Sequence, residues 1–268
     1  MFRNISRYVS NLFRYRAQME WKDSNHLIIN GIPLYVTIDP KEYHERPRQS
    51  EDGPMLLKAR DVIAKEASLA LPANPKIFEM GIFKGGSVIL YDQLFNPSSL
   101  VAIEWDRHRI PVLDAYISSH GRESIVKAYY GINQASRPQV GEILKSNFPK
   151  KDVDLVIDDA SHFYDETRDA FSIVLPYVAP GGAYVIEDWG WAHWPEKLWA
   201  TPYFAGKTPL TNLIFELTAL CATEPGIIDS IEVLHSMVII RRGKRSLPDL
   251  WDLRSACSWR DAILQPIP

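Results

Sequence analysis

The sequence predicts an α/β fold built on a Rossmann-like, mostly parallel β-sheet with helices on both faces. Three observations carry this. Short apolar runs alternate with helical segments between residues 76 and 187, several of those runs end on an acid, and a glycine-rich turn follows the first of them. Strands alternating with helices form βαβ units, whose crossovers are right-handed and whose sheets are parallel.

Each element follows from local patterning. Residues 1–50 read as a helix and then an irregular arm, with Asn30-Gly31 marking a turn and Pro40, Pro47 and Pro54 breaking periodicity. From Met55 to Leu71, Leu56, Ala59, Ile63, Ala67 and Ala70 recur at helical spacing, which predicts an amphipathic helix. Strands are predicted at 76–79, 100–104, 124–129, 153–158 and 182–187, with helices from about Ser87 and over 110–119, 140–146 and 167–178. Residues 209–221 read as a further helix. The runs 230–234 and 237–240 lie too close for a helical crossover, so at least one is antiparallel. The chain divides into an N-terminal helix and arm (1–54), a catalytic domain (55–245) and a Pro- and Trp-containing tail (246–268) that suits a surface wrap or an oligomer contact.

Composition narrows the function. At 268 residues, 46% hydrophobic and 24% charged, the chain can bury a sizeable core. A net charge of −3 gives no global basic field, and the basic runs, 241–245 and Arg3 to Arg16, are short, so nucleic acid is not an expected partner. Cys221 and Cys257 are too few for a disulfide framework and read as reduced thiols of a cytoplasmic protein. No apolar run reaches the ~18 residues of a membrane span. The N-terminal segment, with Arg and apolar residues at helical spacing, suits packing on the domain or on a second subunit, and a homo-oligomer is expected.

Two features point to a bound nucleoside. In Phe78-Glu79-Met80-Gly81-Ile82-Phe83-Lys84-Gly85-Gly86-Ser87 the glycines let backbone approach a ligand, and the following helix offers N–H groups at its start. The spacing fits neither the dinucleotide fingerprint nor a P-loop. Glu79 would repel a pyrophosphate and suits an ammonium or sulfonium instead. Glu104 ends the second strand about 25 residues on, where such sheets place an acid on ribose hydroxyls, with Asp106 a weaker competitor. Together they describe a nucleoside with a cationic amino-acid tail; plain structural turns and solvated strand ends are the competing readings.

The strongest signal is a pair of strand ends, Asp158-Asp159-Ala160-Ser161-His162 and Glu187-Asp188. Neighbouring strands lie about 4.8 Å apart, so four carboxylates converge at the edge where α/β sheets bind ligands. Arg168 and Lys197 lie a helix or a loop away, and like-charge repulsion calls for a cation. Oxygen ligands from Asp159, Glu187 and Asp188 suit Mg²⁺, Mn²⁺ or Ca²⁺ rather than zinc. His162 can reach the same pocket and take a proton from a substrate hydroxyl that the metal polarises.

The combined pattern Glu-x-Gly-x-x-x-Gly-Gly-Ser, Asp-Asp-x-Ser-His and Glu-Asp resembles the metal-dependent sugar and natural-product O-methyltransferases, the group of macrocin, mycinamicin and rhamnosyl O-methyltransferases and the so-called cephalosporin hydroxylases. The resemblance covers roughly Ile77 to Arg242. It implies a seven-stranded sheet with one antiparallel strand and an S-adenosylmethionine- and Mg²⁺- (or Mn²⁺-) dependent transfer of a methyl group to a hydroxyl of a saccharide or other small molecule. It further implies metal ligands at Asp159, Glu187 and Asp188, a general base at His162, and a donor site along Glu79, Gly81, Gly85 and Ser87, with ribose at Glu104. Asn133 and Gln134 would lie on the adenine side and Asp158 beside the donor. Ala160 stands where relatives often have glycine.

Trp189, Trp191, Trp194, Trp199, Tyr203 and Phe204 follow the second acidic strand end and suit either an acceptor ring face or a packed wall; His193 reads as a pocket polar group. The arm Tyr43 to Gln49 could reach an acceptor or remain a solvated loop. Two rivals stay open: a non-haem iron oxygenase, which normally wants two histidines and one carboxylate, and a non-catalytic nucleotide-binding scaffold on the same fold.

Overall fold

A computed structural model of the chain describes residues 15–39, 41–42, 54–259, 262–263 and 265–266. The expected N-terminal helix before residue 15 and the arm Tyr43 to Gln49 lie outside the described residues. The chain forms two compact units, the first ending at Gly131 and the second beginning at Ile132.

The first unit opens with strands where the sequence suggested an irregular arm. Strands β1 (Met19–Trp21), β2 (His26–Ile29), β3 (Ile32–Thr37) and β4 (Met55–Leu57) make a four-stranded sheet in the order β1-β2-β3-β4. The first three are antiparallel neighbours and β4 runs parallel to β3. Asn30 and Gly31, with φ of 49° and 85°, form the two-residue turn between β2 and β3. Left-handed backbone at both positions matches the twist of a hairpin, which is why Asn-Gly serves there. Met55 to Leu57 pairs with β3 rather than starting the helix, so the helix expected from Met55 is shorter, α1 (Arg60–Ala67).

The expected alternation then follows: β5 (Lys76–Met80), α2 (Gly86–Phe95), β6 (Ser99–Glu104), α3 (Pro111–Ser119) and β7 (Val126–Tyr130). β5 pairs in parallel with β6, and β6 with β7. Their cores, Ile77, Phe78, Leu100, Val101 and Ala102, are fully buried, as strands covered on both faces require.

The second unit contains α4 (Arg137–Asn147), β8 (Val153–Asp158), α5 (Tyr164–Val174), β9 (Val178–Glu187), α6 (Thr211–Thr223), β10 (Ile228–Val233) and β11 (Met237–Arg242). The order is β10-β11-β9-β8, with β8 and β9 parallel and β11 antiparallel to both its neighbours. Strands β5 to β11 belong to one seven-stranded mixed sheet, mostly parallel, in agreement with the expected fold class. β9 begins four residues earlier than its sequence pattern suggested, because Pro180 to Gly182 sit in a register shift between Val153 and Leu155 on β8.

The tail folds onto this unit. Arg137 donates to the carbonyls of Asp249 (2.8 Å) and Trp251 (3.0 Å), and the Trp251 ring meets Phe171 edge-on at 6.1 Å. Leu253, in the short helix α7 (Leu253–Ala256), is fully buried. Strands β12 (Ser258–Trp259) and β13 (Ala262–Ile263) close it with a minimal antiparallel pair. Among the described residues no helix is long and apolar enough to cross a membrane.

Candidate donor turn and metal centre

In the first unit, the turn between β5 and α2 is a succession of left-handed residues: Gly81 (φ 96°), Phe83 (φ 51°) and Gly85 (φ 88°). At Gly85 a side chain would be strained by φ and would also meet Leu113 Cβ at 3.0 Å. Gly86 has a different job. A Cβ there would lie 2.2 Å from the Met55 carbonyl oxygen, so this glycine exists to let β4 backbone pass against the start of α2.

Glu104, at the end of β6, shapes the same turn. Its Oε2 accepts the N–H groups of Ile82 (2.9 Å) and Phe83 (2.8 Å), and Oε1 accepts that of Asp106 (2.9 Å). The acid expected on ribose is therefore also a clamp on the glycine turn, a use its place in the sequence did not reveal. Glu79 is fully buried and Ser87 nearly so. A buried carboxylate, a clamped turn and the first-turn N–H groups of α2 suit a donor with a cationic centre and a polar sugar.

In the second unit, β8 ends at Asp158 and β9 at Glu187. Parallel pairing sets Asp158 opposite Ile186. Paired residues share a face and successive residues alternate, so Asp158 and Glu187 project to opposite faces of the sheet. Asp158 turns inward: Tyr184 donates its hydroxyl to Oδ2 (2.9 Å) and Gln134 its amide to Oδ1 (3.2 Å). Burial pushes this carboxyl up to about 7, against the opposing pull of the Tyr184 hydroxyl, the nearby His162 and the Gln134 amide. Gln134 Oε1 in turn accepts the Ser161 N–H at 2.9 Å. Asp158 and Gln134, expected beside the donor, thus brace the loop after β8. Asn133 caps its own turn, accepting the Ala135 N–H at 2.9 Å.

Beyond Asp158 the chain delivers Asp159 and, in the left-handed region at φ 58°, His162; beyond Glu187 it delivers Asp188 at φ 51°. A left-handed non-glycine residue costs about 1–2 kcal/mol, and local bonds offset it. The Asp188 N–H donates to the Ser236 carbonyl (2.8 Å) and the Trp191 indole to the His162 carbonyl (2.9 Å).

The outcome is a cluster. One ligand atom each from Asp159, His162 and Asp188 lies within 4.8 Å of the others, with His162 Nε2 3.8 Å from Asp159 Oδ1. Glu187 is buried, 4% exposed, and lies outside this trio. Two carboxylates and an imidazole, partly exposed, have the donor chemistry to hold a divalent cation. Arg168, expected to lie a helix away from the acids, is paired with another one: its Nη2 sits 2.8 Å from Glu216 Oε1 in a buried pair.

The aromatic segment divides by role. Trp189 donates to the Leu234 carbonyl (2.8 Å), His193 pairs with the Thr211 hydroxyl (2.6 Å), and Trp194 stacks near His235. Trp191 is buried and stacked on Phe204 at 4.3 Å. Tyr203 (56% exposed) and Trp199 (50%) face outward, and the Tyr203 ring lies 4.8 Å from Phe163, the residue after His162.

Residues 78–189 match the model of a methyltransferase domain. That span runs from within β5 through the turn after β9 and so contains both the glycine turn and the cluster of Asp159, His162 and Asp188. The chain is 28% identical to demethylmacrocin O-methyltransferase of Streptomyces fradiae over 64% of its own length and 45% of that protein. It is also 28% identical to mycinamicin VI 2''-O-methyltransferase of Micromonospora griseorubida, over 63% of this chain and 44% of the relative. The chain thus spans a little under half the length of these relatives. A putative caffeoyl-CoA O-methyltransferase from Staphylococcus aureus shares the fold, with a TM-score of 0.51 at 15% identity over 70% of this chain and 86% of that one.

Proposed function

We propose that the chain is an S-adenosylmethionine-dependent, divalent-metal-dependent O-methyltransferase acting on a hydroxyl of a sugar or glycosylated natural product. The observation that carries this is the convergence of Asp159, His162 and Asp188 within 4.8 Å, inside a span that matches a methyltransferase domain. Supporting it are relatives whose names specify O-methyl transfer to demethylmacrocin and to mycinamicin VI.

In this reading the glycine turn, Glu79, Ser87 and Glu104 of the first unit hold the donor; Gln134 and Asp158 of the second, expected beside it along with Asn133, keep the loop after β8 in place. Asp159 and Asp188 would hold Mg²⁺ or Mn²⁺, with Glu187, also expected as a ligand, next to Asp188 in the chain. A cation there supplies positive charge to the acceptor oxygen. His162 removes the hydroxyl proton as the oxygen attacks the methyl carbon; the new O–C bond forms while the S–C bond breaks and a neutral thioether leaves. Holding nucleophile and methyl group in line is the larger part of the rate gain. With His162 as the base, the ligands left for the ion are carboxylates, and one histidine in the cluster falls short of the two that a ferrous oxygenase set normally uses, which disfavours that rival.

A cytoplasmic setting belongs to the same proposal, supported by two thiols that form no disulfide, as does a homo-oligomer, supported by the helical spacing of Arg and apolar residues near the N-terminus. The test is a screen of hydroxylated glycosides for transfer of a labelled methyl group, with and without EDTA. Transfer that stops on chelation and returns with Mg²⁺ is expected. Full-rate transfer by chelated protein would refute the metal role, and wild-type turnover by His162→Ala would refute the base.

A further inference from the structure

We infer that Trp191 is a positioning residue for the metal centre, its indole N–H joining the loop that carries Asp159 and His162 to the loop that carries Asp188. This rests on reading those three side chains as one centre.

Trp191 stands three residues after Asp188, and His162 three after Asp159. The indole Nε1 donates to the His162 carbonyl at 2.9 Å, across 29 residues of sequence. One bond therefore ties the two segments that leave the ends of β8 and β9. Both segments need such a tie, because each turns through a left-handed residue, His162 at φ 58° and Asp188 at φ 51°. The Asp188 side is anchored by its N–H on the Ser236 carbonyl. The His162 carbonyl precedes α5, and Trp191 supplies its donor.

Trp191 is held in turn. It is 1% exposed, and its ring stacks on Phe204 at 4.3 Å and 23°. Phe204 meets Phe163 edge-on at 5.9 Å, closing a circuit from His162 through its neighbour's ring back to the indole. A buried indole almost always finds an acceptor for its N–H; here the acceptor is the backbone of the candidate base. Metal-ligand distances tolerate only about 0.2 Å, so a tie that fixes the spacing between loops acts on affinity directly. Buried behind the loops, Trp191 works through His162 rather than on the acceptor.

Trp191→Phe keeps the ring and its stack and removes only the donor. Mn²⁺ binding to the full chain, followed by electron paramagnetic resonance, should weaken about tenfold, the lower end of what loss of a group orienting metal ligands produces. S-adenosylhomocysteine affinity by calorimetry should stay within twofold, and the thermal midpoint should move little. If Trp191→Phe binds Mn²⁺ as tightly as wild type while Asp159→Asn does not, the centre stands and the tie is wrong. If wild type and Asp159→Asn bind Mn²⁺ equally, the centre itself is wrong and the inference falls with it. Should Trp191→Phe not fold, Phe204→Leu takes its place: it leaves the N–H but frees the ring, and unchanged Mn²⁺ affinity there overturns the inference.

Discussion

Glu104 holds Phe83 in place: its Oε2 accepts the Phe83 N–H at 2.8 Å, at a residue whose φ of 51° lies in the left-handed region. A carboxylate bonded to successive backbone N–H groups is worth more than a neutral acceptor, about 1.5–3 kcal/mol per bond. Glu104→Gln keeps an oxygen acceptor but loses the charge. Its S-adenosylhomocysteine affinity should fall at least tenfold by calorimetry, with the circular dichroism spectrum unchanged. Wild-type affinity would separate the turn from donor binding.

The glycines of the chain should respond in opposite directions. Gly86→Ala drives a methyl group to 2.2 Å from the Met55 carbonyl, and overpacking of this kind costs about 1–3 kcal/mol or more. Gly141, inside α4, has nothing within 4 Å of an added Cβ, so Gly141→Ala should gain about 0.5–1 kcal/mol from helix propensity. Urea midpoints of the two variants, read against wild type, check both signs at once.

Arg168 and Glu216 form a buried pair, 8% and 4% exposed at their side chains, and Tyr164 adds its hydroxyl to Glu216 at 2.7 Å. Arg168→Met strands the acid, and breaking such a pair costs about 3–5 kcal/mol. Burial already raises the Glu216 carboxyl, opposed by Tyr164 and Arg168; without Arg168 it rises further. A carboxyl whose folded pKa exceeds its unfolded value binds more protons when folded, so stability falls as pH climbs from the unfolded toward the folded value. The deficit of Arg168→Met should therefore shrink in acid and widen toward neutral pH. A pH-independent deficit would mean the loss is one of packing.

The two thiols should differ in reactivity. Burial pushes the Cys257 thiol up to about 11, and its Sγ donates to the Glu216 carbonyl at 3.3 Å. At pH 8 roughly one part in a thousand is thiolate, the form that reacts. Iodoacetamide on the native protein should label the partly exposed Cys221 first, and Cys257 labelling should quicken about tenfold per pH unit until unfolding. Equal rates by peptide mass mapping at pH 8 would contradict the buried placement.

The acids at strand ends were legible because a short apolar run that stops at a carboxylate marks a strand buried on both faces: Val153 to Asp158 was recovered at both boundaries. The trio they deliver was only half legible. The ends of two neighbouring strands put Asp158, Asp159, Glu187 and Asp188 at one edge, but it takes the pairing of Asp158 with Ile186 to show that Asp158 and Glu187 face apart. The N-terminal sheet was missed although its signal was present: Leu27 and Ile29 alternate toward the core and Asn30-Gly31 follows at once. Met55 to Leu57 misled because its apolar residues also fit helical spacing, and only pairing with β3 decides between them. The Trp191 bond left no trace, since an indole's partner is set by tertiary packing.

Fixing Trp189, Trp191, His193 and Trp194 at one end and Thr211 at the other leaves the intervening stretch, with outward Trp199 and Tyr203, hung between two firm posts. Apart from Phe204 and Tyr203, which pack on Trp191 and Phe163, such a stretch can be exchanged or recoloured without shifting Asp188. In the proposed reading, selection for new acceptors would then have a cassette to work on whose edits leave the candidate metal-binding strand ends where they are.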